Sequence, residues 1–232
     1  MAGVSVSING KDMFLEYGVI MTDYDIGNPT VQKHMVSVPL RDGDLDYTDY
    51  LTNSVKYGNR PLTMSFLYQG YDDFTAKFSE ITNLFHGKKC NIIFDRDLNY
   101  YYVGRLEVGK YKNLRYGGTF QIEADCQPFK LSVQSTADDW LWDPFNFETG
   151  YINDLKNIQI TNSAEIVIYG DEQLAYPKVT SNAQFTVTFG TKSVTISSGT
   201  TTLYDFELQP GVNTLTFTGT GTITIDYRGA RL

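Results

Sequence analysis

Val4-Ser5-Val6-Ser7-Ile8 alternates apolar and polar side chains, the period of a strand with one buried face. Asn9-Gly10 follows at once, and this pair favours a tight hairpin turn because both residues tolerate positive φ. The alternation returns over Pro61-Leu62-Thr63-Met64-Ser65-Phe66-Leu67-Tyr68. Ile92-Ile93-Phe94 and Tyr101-Tyr102-Val103 read as strands on either side of a turn, Asp95-Arg96-Asp97-Leu98-Asn99. One stretch has the helical period instead. Phe74, Phe78, Ile81 and Phe85 fall at i, i+4, i+7 and i+11 and make one apolar stripe. Asp72 or Asp73 supplies a carboxylate for the free N–H groups of the first turn. Gly87 suits the left-handed residue after the last turn, with Lys88 and Lys89 near the negative pole. The spacing predicts one amphipathic helix over 72–86, packed on a sheet.

Beyond Asn162 the pattern is strand, turn, strand. Ile166-Val167-Ile168 runs to Gly170-Asp171, and Phe185, Val187 and Phe189 alternate with Thr186 and Thr188 before Gly190. Leu215 and Phe217 alternate with Thr214, Thr216 and Thr218, then Gly219-Thr220-Gly221 turns the chain into Ile223, Ile225 and Tyr227. Short strands with glycine turns at this spacing predict a β-sandwich. Composition shifts along the chain as well. Residues 1–131 hold 14 Lys/Arg and 16 Asp/Glu, a net −2, whereas residues 132–232 hold 5 and 11, a net −6, and that second stretch is rich in Thr. These shifts place a joint between Gln127 and Asn162. The expected organisation is residues 1–131 as a first domain, 132–157 as a linker or joint, and 158–232 as a second, sandwich domain.

Charge and composition narrow the function classes. The whole chain of 232 residues carries a net −8, which argues against general nucleic-acid binding because that needs a basic face to neutralise phosphates. Two His and two Cys are fewer ligands than a structural zinc site ordinarily uses, unless both pairs converge. A disulfide-dense scaffold is excluded on the same count. No apolar run approaches the roughly 18 residues of a membrane-spanning helix, and Met1-Ala2-Gly3-Val4-Ser5 lacks the basic-then-apolar order of a secretory signal.

Candidate chemistry is sparse. His34 and His86 are the only histidines, and neither lies in a recognisable nucleophile motif. Both read as structural or surface residues. Cys90 and Cys126 read as small core residues. Asp95-x-Asp97-x-Asn99 matches the first half of a calcium loop, but Tyr100 stands where that loop needs Gly and Leu106 where it needs Glu, so a hairpin turn is expected. Arg41-Asp42-Gly43-Asp44-Leu45-Asp46 gathers Asp around a Gly: a surface turn, a cation site or an acidic face. Trp140-Leu141-Trp142-Asp143-Pro144-Phe145-Asn146-Phe147 is the most aromatic segment. Three roles fit Trp140, Trp142, Phe145 and Phe147: an interdomain plug, an anchor for another chain, or a sugar-stacking platform. No phosphate-binding glycine loop occurs. The residues alone describe a non-catalytic, mainly β protein of two units.

The order of motifs resembles the distal tail protein family of siphophages and prophages of Gram-positive hosts. In the first half the resemblance rests on Tyr17-Gly18-Val19, Val38-Pro39-Leu40-Arg41-Asp42-Gly43-Asp44-Leu45-Asp46 and Val55-Lys56-Tyr57-Gly58-Asn59-Arg60-Pro61-Leu62. It continues through Leu84-Phe85-His86-Gly87-Lys88, Phe94-Asp95 with Tyr101-Tyr102-Val103-Gly104-Arg105, and Ile122-Glu123-Ala124-Asp125-Cys126-Gln127-Pro128-Phe129. In the second half it rests on Tyr176-Pro177-Lys178-Val179, Phe206-Glu207-Leu208-Gln209-Pro210-Gly211-Val212-Asn213 and Ile223-Thr224-Ile225-Asp226-Tyr227-Arg228. One departure is Leu40, where many relatives place Gly. The resemblance implies a mainly β fold: an N-terminal β-sandwich-like, tail-tube-related domain with one helix, then a galectin-like β-sandwich. It implies a hexameric ring at the distal end of the virion tail, assembled in the host cytoplasm. The ring joins the major tail tube protein to baseplate or tail-tip proteins, including a tail-associated lysin and receptor-binding proteins, and leaves a channel for DNA. It implies structural roles for Arg41, Gly43, Asn59, Arg60, Gly87 and Gly104, and no catalytic residue, cofactor, metal or membrane insertion.

A DNA conduit works best without gripping DNA, so Asp42, Asp44, Asp46 and Asp49 are expected to face the channel. The rival expectation is a carbohydrate-binding module acting in host adsorption. Against it, residues 158–232 contain neither Trp nor His, and many of their Phe and Tyr fall on alternating positions that point into a core.

Overall fold

The computed structural model describes residues 5–50, 54–70, 73–138, 154–173 and 175–232. The fold is mainly β, as the alternation predicts, and divides into two compact units. The first takes the described residues up to Asp97 with Tyr101–Pro128 and Leu232; the second takes Leu98–Tyr100 and the described residues of Phe129–Arg231.

In the first unit, β1 (Val6–Ile8) and β2 (Lys11–Asp12) form the expected hairpin, with Ser7 opposite Asp12. Asn9 and Gly10 sit at φ 52° and 76°, the positive pair that matches the turn to the right-handed twist of the strands. Asp12 then caps α1 (Met13–Tyr17), its Oδ1 accepting the N–H groups of Phe14 and Leu15 at 2.9 and 2.8 Å. Burial alone pushes the Asp12 carboxyl up, but the Ser5 hydroxyl and these two N–H groups outweigh it and hold it below its ordinary value. This five-residue helix is an addition to the single helix expected from periodicity. It is too short to show a 3.6-residue pattern, although Asp12 and Gly18 (φ 66°) bracket it as caps.

Strands β3 (Val19–Ile26), β4 (Met35–Val36), β5 (Leu45–Asp46), β6 (Arg60–Tyr68), β7 (Lys89–Phe94), β8 (Tyr100–Leu114) and β9 (Gly117–Cys126) follow. The main sheet runs β2-β1-β7-β8-β9-β6-β3, antiparallel at every pair. One face of β6 buries Leu62, Met64 and Phe66 against Phe120, Ile122 and Leu106. The predicted helix is α2 (Phe74–Phe85), with Asp73 as its N-cap. Phe74, Ile81 and Phe85 are buried and Phe78 packs against the same core. Its end is tied as expected, with Lys88 Nζ donating to Asn83 O at 3.0 Å. His86 is the C-cap, and its Nδ1 accepts the Val108 N–H at 3.0 Å, which pins the helix end to β8.

The second unit contains β10 (Lys130–Ser132), β11 (Ile158–Ile160), β12 (Ser163–Gly170), β13 (Lys178–Ser181), β14 (Phe185–Phe189), β15 (Lys192–Ile196), β16 (Gly199–Thr202), β17 (Gly211–Thr218), β18 (Gly221–Asp226) and β19 (Ala230–Arg231). Two four-stranded antiparallel sheets, β11-β18-β13-β16 and β12-β17-β14-β15, enclose one core. Ile160, Val179, Ile223 and Ile225 from the first sheet meet Ile168, Phe185, Leu215 and Phe217 from the second. The Thr enrichment has a local cause. Thr suits the outward positions of strands, and hydroxyls pair across strands, Thr180 with Thr200 at 3.0 Å and Thr186 with Thr195 at 3.4 Å. Both described ends of the stretch expected as a linker are laced to β18. Thr136 Oγ1 donates to Ile225 O and accepts from Tyr227 N, while Ile225 N donates to Leu155 O and Leu155 is buried in the sandwich core.

Candidate functional site: an exposed arm and the arginine at its base

Between β3 and β6 the chain leaves the sheet as a paired arm, described over residues 27–50 and 54–59. Gly27 N donates to Pro61 O at its base, and Gly58 N to Thr30 O and Gln32 N to Lys56 O hold the two limbs together. Farther out, Tyr47 N donates to His34 O, and Met35 stands opposite Asp46 and Val36 opposite Leu45. Local pairing builds the arm and almost nothing buries it. Val31, Met35, Val36, Leu40, Tyr47 and Tyr50 are all exposed, a concentration of solvent-facing apolar side chains that marks an interaction surface. No alternation longer than a few residues runs through 27–59, so sequence periodicity left these side chains unassigned.

The arm tip carries the acidic turn. Asp42, Asp44, Asp46 and Asp49 are exposed together on it. The Thr48 hydroxyl and N–H hold the Asp46 carboxyl below the ordinary carboxylate range. Leu40 adopts φ 66° and is fully exposed. That is the left-handed region that Gly enters freely, and here an L-residue bears its strain. Gly43 follows at φ 76°.

At the base, Asn59 Nδ2 donates to Asp125 Oδ2 at 2.7 Å. Arg60 points the other way, onto the buried face of β6, and is only 3% exposed. Its register partner on β9 is Cys126, whose partner on β8 is Gly104. A Cβ at Gly104 would stand 2.5 Å from Cys126 Sγ, so glycine there keeps the row low. The Arg60 guanidinium lies 5.5 Å from the centre of the Tyr102 ring, within cation–π range. Three of the motif positions, Asn59, Arg60 and Gly104, thus meet in one place. Arg41 and Gly43 lie at the arm tip, and Gly87 (φ 74°) follows α2. Tyr102 is the member that motif reading did not single out; its place on the buried side of a period-2 strand is the signal it left.

The remaining candidates have structural uses. Burial pushes the Cys126 thiol up to about 12, with Asp125 adding to the effect and Arg60 opposing it. Cys90 is raised by burial too, and its Sγ accepts from Asn9 Nδ2 at 3.2 Å. Neither thiol is poised as a nucleophile. Asp95 Oδ2 accepts the Ser5 N–H at 2.9 Å, and Asp97 N donates to Phe94 O, a hairpin turn. Among the described residues no group of three or more His, Cys, Asp or Glu is placed to hold a metal ion, and no helix is long and apolar enough to cross a membrane. Trp140, Trp142, Phe145 and Phe147 lie outside the described residues. On the second unit, exposed Tyr176 and Tyr204 pair at 5.8 Å, and Tyr176 Oη donates to Glu207 Oε1 at 3.5 Å. The negative charge of Glu207 raises the Tyr176 phenol.

No protein-family model matches the chain, and no curated protein matches its sequence. Among solved structures, one described as SPP1 Dit (gp 19.1), a paradigm of hub adsorption apparatus in phages infecting Gram-positive bacteria, superposes with a TM-score of 0.62. The match covers 99% of this chain and 99% of that chain, at 14% sequence identity. The chain shares its fold with SPP1 Dit. Because the likeness runs end to end, it takes in both units and the arm. It agrees with the family read from the order of motifs and bears out the mainly β architecture.

Proposed function

We propose that this chain is a structural hub of a phage tail tip. Identical copies form a hexameric ring that joins the tail tube to tail-tip or baseplate proteins, among them a tail-associated lysin and receptor-binding proteins. The ring lies at the distal end of the virion tail, is assembled in the host cytoplasm, leaves a channel for DNA and performs no catalysis. The first unit closes the ring, and the second is a galectin-like sandwich. The observation that carries this reading is the whole-chain likeness to a hub adsorption protein. The exposed apolar arm supports it physically, since a surface of that kind is covered in an assembly. Net charge −8 suits a conduit that lets DNA slide past, with Asp42, Asp44, Asp46 and Asp49 facing the lumen. Light scattering after size exclusion is expected to show six times 26.2 kDa, about 157 kDa. A chain that stays at 26.2 kDa, both alone and mixed with its tail-tube protein, overturns the ring.

A second reading, adsorption through glycan, has one observation in its favour: the exposed Tyr176–Tyr204 pair beside Glu207. It predicts glycan-array binding by the full chain that Tyr204→Ala abolishes. On the hub reading the array stays at background.

A further inference from the structure

Among the described residues, two buried side-chain polar atoms lack a hydrogen-bond partner, Tyr17 Oη and Arg60 Nε. The arginine is the more telling because it carries a full charge. Among the described residues its terminal nitrogens have no hydrogen-bond or ion-pair partner either, and the residue as a whole is 3% exposed. The nearest acid along β9, Asp125, points to the opposite face and is engaged by Asn59. Among the described residues the guanidinium has the Tyr102 ring beside it and the Cys126 thiol within electrostatic reach. A guanidinium held inside a fold with five donors and no acceptor is costly. Part of that cost is recovered when an anion reaches its terminal nitrogens. Nε is buried, so a carboxylate that reaches the guanidinium meets its two terminal nitrogens, end-on and two-pronged.

We propose that Arg60 receives a carboxylate of Asp42 or Asp44 from the arm of a neighbouring copy, which takes that one residue out of the lumen-facing set and leaves the other aspartates of the tip there. This rests on the ring reading. Asp42 and Asp44 flank Gly43 at the exposed tip and have no partner within the described residues of their own chain. The limbs of the arm pair side by side, so the tip stands at the end of the ribbon opposite its own Arg60. The tip of another copy is thus the natural donor, and each copy has one acidic tip and one receiving arginine, as a head-to-tail ring requires. A nucleic-acid phosphate is disfavoured by the net charge of −8.

The test compares wild type, Arg60→Met, Asp42→Asn/Asp44→Asn and the combined variant. Assembly is read by light scattering across a dilution series, and the melting of the dissociated subunit is read separately. Arg60→Met is expected to raise the concentration for half-assembly at least tenfold while the subunit melts no earlier than wild type. The two exposed Asn substitutions are expected to produce the same shift, and the combined variant little more. Independent, additive shifts overturn the pairing. So does an Arg60→Met subunit that melts early yet assembles normally, since Arg60 is then a prop for Tyr102. Stabilisation of dissociated wild type, but not of Arg60→Met, by inorganic phosphate overturns it in favour of a small anion. If Arg60→Met does not fold, the Asn pair still decides: unchanged assembly sinks the proposal. A wild type that never assembles sinks the ring reading itself, whereas assembly indifferent to all the substitutions sinks only this inference.

Discussion

Gly117→Ala is expected to destabilise the first unit strongly and to open it first along β6 and β9. Gly117 opens β9 at φ 106°, and a Cβ there would lie 1.9 Å from the carbonyl oxygen and 2.9 Å from the carbonyl carbon of Tyr68. These are backbone atoms of β6, which pairs with β9 along its length from Arg60 opposite Cys126 to Tyr68 opposite Gly118. No rotamer relieves the clash, so the ladder itself must open. The combined cost of positive φ and displaced backbone is on the order of 4 kcal/mol, a large share of the roughly 5–15 kcal/mol that holds a domain together. Gly43→Ala is the control. Gly43 also has positive φ, but nothing lies within 4 Å of its added Cβ, so only about 1 kcal/mol of backbone strain is expected. Hydrogen exchange followed by mass spectrometry is expected to show lost protection across β6 and β9 in Gly117→Ala and near wild-type protection in Gly43→Ala. Equal behaviour of the two variants shows that the close approach is not what Gly117 serves.

Asn213→Ala is expected to cost the second unit on the order of 3 kcal/mol, through donors and acceptors left unmade. Asn213 is 3% exposed. Its Oδ1 accepts the Gln209 N–H at 2.8 Å, and its Nδ2 donates to Gln209 O at 2.7 Å, Gly211 O at 3.0 Å and Ile168 O at 3.4 Å. One amide thus ties the turn before β17 to β12. Asn213→Asp is the sharper probe because it keeps the shape and the acceptor but removes the donor. An ionised Asp would face three carbonyl oxygens, so burial and repulsion raise its folded-state pKa above the unfolded value. Neutral Asp is then the stable form, and the variant is expected to regain stability as pH falls through that raised pKa. Urea denaturation at two pH values checks the sign. A variant that loses stability toward acid faster than wild type contradicts the donor role assigned to Asn213.

Much of the architecture was readable one segment at a time. The Asn9-Gly10 turn, the strands with period two and helix α2 with its ends all depend on contacts within a few residues. Helix α1 was missed because five residues make barely more than one turn. Motif reading did mark Asn59, Arg60 and Gly104, and it gathered the four aspartates of the arm tip. It did not say that Arg60 is buried, although alternation from Leu62, Met64 and Phe66 puts it on their face. A charged residue on that face runs against the ordinary cost of burial, and only the Tyr102 ring beside it shows how the fold accommodates it.

What the sequence determined by itself is therefore local: mainly β structure, one amphipathic helix, and acids clustered at a glycine turn. Tertiary structure alone decided the neighbours. It set β1 beside β7 and β9 between β8 and β6, and it aligned Arg60, Cys126 and Gly104 in one row. It also left Val31, Met35, Val36, Leu40, Tyr47 and Tyr50 of the arm in solvent. The reason is physical. Turn and helix preferences act over a few residues, whereas strand order and burial follow from one shared core, assembled from segments tens of residues apart.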